Sequence, residues 1–124
     1  MRLVIDTNII VSALLSSESR AFQLLSDILD GKYTILISDE IYQEYQDVLY
    51  RDKFCFDNEI ICFLLNWFKE NAVWIQVLET NTPMLDEDDR AFYDLAKSCK
   101  AKLVTGNIKH YPVDELVTAL WELT

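Results

Sequence analysis

The chain has little of what small folds use as a substitute for a core. Two glycines and two prolines in 124 residues exclude a low-complexity linker. The three cysteines, Cys55, Cys62 and Cys99, are odd in number and form no CxxC pair. With one histidine in the sequence, a structural zinc site lacks ligands at usable spacing. Buried free thiols in a reducing cytosol are the expected state. No apolar run approaches the roughly 18 residues that cross a bilayer; the longest is Ile60 to Leu65. Asp6 and Asn8 interrupt the N-terminal apolar stretch where a signal peptide needs continuity. A cytoplasmic protein is expected, with no membrane contact.

Basic residues are also scarce. Eleven Lys and Arg stand against 21 Asp and Glu, a net charge of −10. That balance lacks the basic footprint common to nucleic-acid binders. It fits either a soluble acidic surface or carboxylates gathered about a cation, and the placement of the acids decides between them. What is present is globular: 51% hydrophobic and 26% charged residues. The length suits one domain over residues 1–124, which buries roughly two-thirds of its unfolded surface.

Leu3-Val4-Ile5 reads as a buried parallel strand ending at Asp6. Helices follow over Asn8 to Leu15 and Arg20 to Leu29, the second with Phe22, Leu25 and Leu29 on one face and Gly31 at its C-terminal end. Tyr33 to Ile37 is a second strand. Ser38 caps a helix from Asp39 to Tyr50, and Asp57 caps another running to Glu70. The latter carries Ile60, Ile61, Leu64, Leu65, Trp67 and Phe68, a face wide enough for deep packing or for an interface such as a homodimer. Val73 to Leu78 is a third strand, Asp88 to Lys100 a helix and Lys102 to Val104 a fourth strand. Val113 to Thr118 forms a short strand with a final helical turn through Trp121. Strands alternating with helices make an α/β domain with a largely parallel sheet.

In such sheets ligands bind outside the carboxyl ends of the strands. Asp6 stands at that end of the first strand, where it serves either as a helix cap or as a ligand. Glu44 shares the apolar face of Ile41, Tyr45 and Val48, so its carboxylate needs a partner. Asp89 lies at the head of the face of Phe92, Leu95, Ala96 and Cys99. Asp86, Glu87 and Asp88 are placed to satisfy the free N–H groups of that helix. Thr105-Gly106-Asn107 is a polar turn at another strand end. Clustered carboxylates repel one another unless a cation sits among them. Mg²⁺ or Mn²⁺ suits an oxygen donor set and can activate water for phosphoryl displacement. His110 with scattered Ser and Cys makes no triad, and no phosphate-binding glycine loop is present.

Val4-Ile5-Asp6-Thr7-Asn8 resembles the opening strand and turn of PIN-domain nucleases. Asp86 through Ala96, with Asp89, Phe92 and Ala96 at matching spacing, resembles their third acidic motif, and Leu103 to Asn107 their last. Glu44 falls where the second acid lies. The likeness covers essentially the whole chain and points to the bacterial group regarded as VapC-like toxins of toxin–antitoxin systems. It implies a three-layer α/β/α domain around a mostly parallel sheet of about four or five strands. It also implies a Mg²⁺- or Mn²⁺-dependent endoribonuclease with RNA as substrate and an antitoxin protein as partner. Asp6, Glu44 and Asp89 would then hold the metal and the attacking water, with Asn8 and Thr105 orienting them. Asn107 stands where many members carry an acid; it offers a neutral oxygen and weakens the case for a second cation. Arg51, Lys53, Lys109 and His110 are candidates for phosphate contacts.

Two other readings compete. A phosphoaspartyl enzyme or receiver domain also uses a strand-end Asp with Mg²⁺. A dehalogenase-like enzyme would need an acid where Asn8 stands, and a receiver would need an acidic pair where Asp6 stands alone. A PIN-like module that binds a protein partner, its nuclease activity weak or lost, is motivated by Asn107 and the apolar Ile60 to Phe68 helix.

Overall fold

A computed structural model describes residues 1–123. Five strands form one parallel sheet: β1 (Arg2–Ile5), β2 (Thr34–Ile37), β3 (Val73–Trp74), β4 (Lys102–Thr105) and β5 (Val117–Ala119), in the order β3-β2-β1-β4-β5. Helices α1 (Thr7–Leu15), α2 (Arg20–Leu29), α3 (Asp39–Leu49), α4 (Asn58–Asn71) and α5 (Arg90–Cys99) flank it, giving three α/β/α layers. Short 3₁₀ turns cover Asp52–Phe54, Glu87–Asp89, Ile108–His110 and Leu120–Glu122. No helix among the described residues is long and apolar enough to cross a membrane.

The central strands are apolar triplets covered on both faces, as parallel pairing requires. Leu3, Val4 and Ile5, Ile35, Leu36 and Ile37, and Leu103 and Val104 are all at most 1% exposed. The helices start where their caps stand. Ser38 Oγ accepts the Ile41 N–H at 3.3 Å and Asp57 Oδ1 the Glu59 N–H at 2.8 Å. Gly31, at φ +83°, turns the chain out of α2 toward β2 in a conformation that favours glycine. Tyr45 of α3 packs on Phe68 of α4 and Phe92 of α5, with ring centroids 5.3 and 6.3 Å apart. This contact joins three helices.

Several local expectations change. β3 ends at Trp74 rather than Leu78. Ile75 N–H still reaches Ile37 O at 2.9 Å, and the chain then leaves the sheet. The cause lies on α5. Asp94, 1% exposed, accepts from Thr80 N–H at 3.2 Å and from Thr80 Oγ1 at 2.6 Å. Arg90 donates to Thr80 O and Thr82 O, both at 2.8 Å. A strand continuing along the sheet would cost that buried carboxylate both Thr80 hydrogen bonds and leave it only Arg90 Nη1, at 3.7 Å. The last strand is Val117–Ala119 rather than Val113–Thr118, because Asp114 Oδ1 takes the Leu116 N–H at 2.9 Å and makes a turn. The fifth helix begins at Arg90, after the 3₁₀ turn, not at Asp88.

Burial corrects three further points. Cys55 and Cys62 are exposed and Cys99 half-buried, so the free thiols are not core residues. On α2 the buried stripe is Ala21, Leu24, Leu25 and Ile28, and Phe22 lies on the surface. On α4, Ile61, Leu64, Leu65 and Phe68 pack inward while Ile60 and Phe63 face out.

Candidate active site

The strand order brings Asp6 and the β4 turn together. β1 and β4 are neighbours with Ile5 opposite Val104, and Asp6 N–H donates to Val104 O at 3.0 Å. The chain departs from β1 through α1 on one side and reaches β4 on the other, so their carboxyl ends open a crevice at a topological switch point.

Asp6 precedes α1, yet its carboxylate caps none of that helix's N–H groups. Instead Oδ2 accepts two hydroxyl protons, from Thr105 Oγ1 at 2.9 Å and Tyr111 OH at 2.8 Å. Burial lifts the Tyr111 hydroxyl far above its usual range, and it remains a donor. Thr105 Oγ1 in turn accepts from Asn107 N–H at 3.0 Å and Asn8 Nδ2 at 3.4 Å. Asn8 Oδ1 accepts Gly106 N–H at 3.1 Å. Every proton in this chain of bonds is directed toward Asp6. The described hydrogen bonds leave Oδ1 of Asp6 unused, so one oxygen is held and the other is available.

Asp89 ends the Glu87–Asp89 turn, which Asp86 stabilises by accepting Asp88 N–H at 3.0 Å. Its Oδ2 is buried with no hydrogen-bond partner among the described residues. Burial first, and then the negative charges of Asp6 and Asp86, push the Asp89 carboxyl up to about 6. His110 Nδ1 stands 3.9 Å from that oxygen, too far for a hydrogen bond. The His110 Nε2 lies 3.0 Å from Asn107 Nδ2.

Glu44 is placed differently. It is half-buried on α3 and lines a groove of about 420 Å³ with Asp88, Arg90 and Phe92, which Asp6 and Asp89 do not line. Burial raises its carboxyl; Arg51 counters this, and the charges of Asp88, Asp47 and Asp6 add to it. No three His, Cys, Asp or Glu groups among the described residues stand close enough to hold a metal ion. The expected three-carboxylate cluster is therefore a pair, Asp6 and Asp89, with Glu44 on an adjoining wall. The reason is architectural: Glu44 projects from the middle of a helix, whereas the other two sit at the ends of a strand and a turn.

A divalent cation fits the chemistry of the pair. Asp89 offers an orphaned buried oxygen and Asp6 a free one, and the Asp89 carboxyl stays raised although His110 partly offsets its charge. Asn107, whose N–H is bonded to Thr105 Oγ1, carries a carboxamide oxygen of the type such an ion accepts. Of the phosphate-contact candidates, Arg51 borders the Glu44 groove, whereas Lys53 Nζ sits 5.0 Å over the Phe54 ring. Tyr111 carried no signal in the sequence, since it lies 105 positions from the carboxylate it holds. Arg90 and Asp94 were equally silent, because a charged residue on a helix reads as surface until its partners are known.

Comparison with curated proteins returned no match. A family model described as PIN domain matches residues 2–109. The match runs from β1 to the turn bearing Lys109 and so takes in Asp6, Glu44, Asp89 and Asn107. By that span and that fold, the chain belongs to the PIN-domain family.

Proposed function

We propose that the protein is a divalent-metal-dependent endoribonuclease and the toxin of a toxin–antitoxin pair. The observation that carries the first part is the buried Asp89 oxygen, without a hydrogen-bond partner among the described residues, near Asp6 at the switch point of a nuclease-type fold. Mg²⁺ or Mn²⁺ held there supplies a Lewis acid for the phosphodiester and lowers the pKa of water. Asp6 and Asp89 would hold the ion, with the Asn107 carboxamide oxygen as a further neutral ligand. Glu44, its carboxyl raised by burial, would accept a proton from the attacking water. Thr105, Asn8 and Tyr111 fix the Asp6 carboxylate in one orientation. Arg51 and Lys109 meet the RNA backbone, which offsets the net charge of −10 only locally, screening being effective beyond about 8 Å at physiological salt.

Labelled single-stranded RNA incubated with the protein and Mn²⁺ should be cleaved, and EDTA should stop it. Intact RNA across several unrelated sequences would count against the enzyme. Expression in bacteria should arrest growth until a cognate antitoxin is supplied. Normal growth with abundant protein would remove the toxin role. Tyr111→Phe keeps the ring and deletes one donor to Asp6. It should weaken Mn²⁺ binding by about 10- to 100-fold in calorimetry, as loss of a group that orients a metal ligand does. Unchanged affinity would reduce Tyr111 to a packing residue.

One observation favours a second reading, a PIN-like module that binds a protein. Leu14, Phe22, Leu25, Ile60 and Phe63 border an apolar groove of about 290 Å³, with Phe63 58% exposed. Exposed patches of this kind commonly mark partner sites. RNA cleavage that requires Asp89 would decide for the enzyme.

A further inference from the structure

The connection between α3 and α4 puts two cations and two aromatic rings close together in the chain: Arg51, Lys53, Phe54 and Phe56. A 3₁₀ turn over Asp52–Phe54 orders it, with Phe54 N–H donating to Arg51 O at 3.1 Å. Cys55 then takes a left-handed φ of +51°, which a residue with a side chain seldom adopts. Its N–H and its Sγ both donate to Asp52 O, at 3.2 and 3.1 Å, and hold the kink. The Phe54 and Phe56 rings on either side of it are stacked, their planes 6° apart and their centroids 5.2 Å apart. Phe56 packs against the core, whereas Phe54 is no part of it among the described residues. Lys53, exposed, sets its Nζ 5.0 Å from the centroid of the Phe54 ring. A partly exposed ring is thus fixed in one plane by a second ring, with a cation beside it. A strained backbone that holds a side chain in this way points to a use outside the core.

Charge directs a polyanion to the same loop. The groove that Glu44 lines is walled by acids, Glu40, Asp47, Glu79 and Asp88 among them, and by two arginines. Arg90 is committed to Glu87 and to the Thr80 and Thr82 carbonyls. Arg51 is exposed, takes no ion pair among the described residues, and its charge reaches Glu44. A phosphate backbone nearing Glu44 therefore meets attraction on the Arg51 side and repulsion along the acidic walls. One 3₁₀ turn beyond Arg51 stands the Phe54 ring.

We infer that Phe54, backed by Phe56, is a stacking platform for an unpaired base of the RNA, with Arg51 and Lys53 on the flanking phosphates. The inference deepens the ribonuclease reading and rests on it. Aromatic rings interleaved with cations hold single strands without reading their sequence, because every base has a π face. Stacking needs no charge, so it supplies affinity that a chain of net charge −10 has few cations to provide. A duplex keeps its base faces stacked on one another and offers none to the ring.

The test uses the full chain carrying Asp89→Asn, so that the RNA stays intact, and a short fluorescent oligouridylate containing iodouridine. Irradiation should attach the iodouridine to Phe54, the adduct being located by mass spectrometry. Phe54→Leu keeps an apolar side chain on Phe56 and removes the π face. Its affinity for the oligouridylate should fall about fivefold or more, with the dependence on salt unchanged. Phe54→Trp should restore binding. Lys53→Ala should instead lower the slope of log affinity against log salt by about one. Thermal melts confirm that each variant is folded. An adduct at other residues, with Phe54→Leu binding RNA as tightly as the chain it was made in, would overturn the platform; a loop that contacts a protein instead gives that result. Wild-type cleavage that needs Asp89 would then leave the enzyme standing. Oligouridylate that the chain neither binds nor, as wild type, cleaves would overturn both.

Discussion

Asp89→Asn is expected to abolish RNA cleavage and, at the same time, to stabilise the protein. The loss follows from removing a ligand to the ion. If the bound metal contributes about 4 kcal/mol of transition-state stabilisation, cleavage falls by about 10³-fold. The gain in stability follows from the environment of the same carboxyl. Burial and the neighbouring Asp6 and Asp86 raise its pKa from 3.8 to about 6. A carboxyl with a raised folded-state pKa binds its proton more tightly when folded, so its protonated form favours the fold. Below its unfolded value of 3.8 both states carry the proton, and the carboxyl imposes no penalty. As the pH rises from there through about 6, the unfolded chain ionises first and stability is lost. Above that range the penalty is complete.

Asn cannot ionise, so thermal melts should show the variant more stable than wild type at neutral and higher pH. The difference should vanish near pH 4, about where the unfolded carboxyl titrates. Saturating Mn²⁺ should raise the wild-type melting temperature by mass action and leave the variant's unchanged. A variant that melts lower than wild type at pH 7.5 would show that Asp89 is a structural group. A variant that still cleaves RNA would remove it from the reaction.

Tyr45→Ala should be the most damaging single change to the fold. Tyr45 is fully buried between Phe68 and Phe92, and its hydroxyl donates to Ile5 O at 2.6 Å. Truncating a buried aromatic costs about 3–5 kcal/mol, a large share of the roughly 5–15 kcal/mol that holds a domain together. The cavity would open among α3, α4 and α5 and beneath β1, the elements that carry Glu44 and Asp6. Tyr45→Phe keeps the ring and removes one hydrogen bond, a loss of about 1 kcal/mol. Urea titrations of the two variants separate these terms. Equal midpoints for Ala and Phe would mean that the ring contributes nothing and the hydroxyl everything.

The local sequence announces the elements whose burial is complete or strictly periodic. Leu3-Val4-Ile5 and Leu103-Val104 have no polar residue to spare and become central strands. Ser38 and Asp57 start their helices because a short side-chain oxygen satisfies nearby N–H groups wherever the rest of the chain goes. Ile41, Tyr45 and Val48 are buried together because their spacing matches one helix face. Strand ends are equally visible, and they place Asp6, Thr105 and Asn107 at one edge of a parallel sheet. β3 stops short of its apolar pattern because a competitor elsewhere in the chain decides its end. Apolar residues after Trp74 suit a strand, but the buried Asp94 carboxylate claims Thr80 and draws the chain away.

The sequence by itself determined the α/β class, the positions of the main helices and the strand-end location of Asp6 and the Thr105 to Asn107 turn. These depend on period, capping and turn chemistry, which act between residues close in the chain. Only the tertiary structure decided that Tyr111 and Thr105 hold the same oxygen of Asp6, and that His110 faces an unpartnered Asp89. It also decided that Glu44 stands on an adjoining wall rather than among the other acids. The hydrophobic pattern states which face of an element turns inward, but not which element it will meet. That is set by the strand order β3-β2-β1-β4-β5, which places β1 beside β4, a strand about a hundred residues away along the chain.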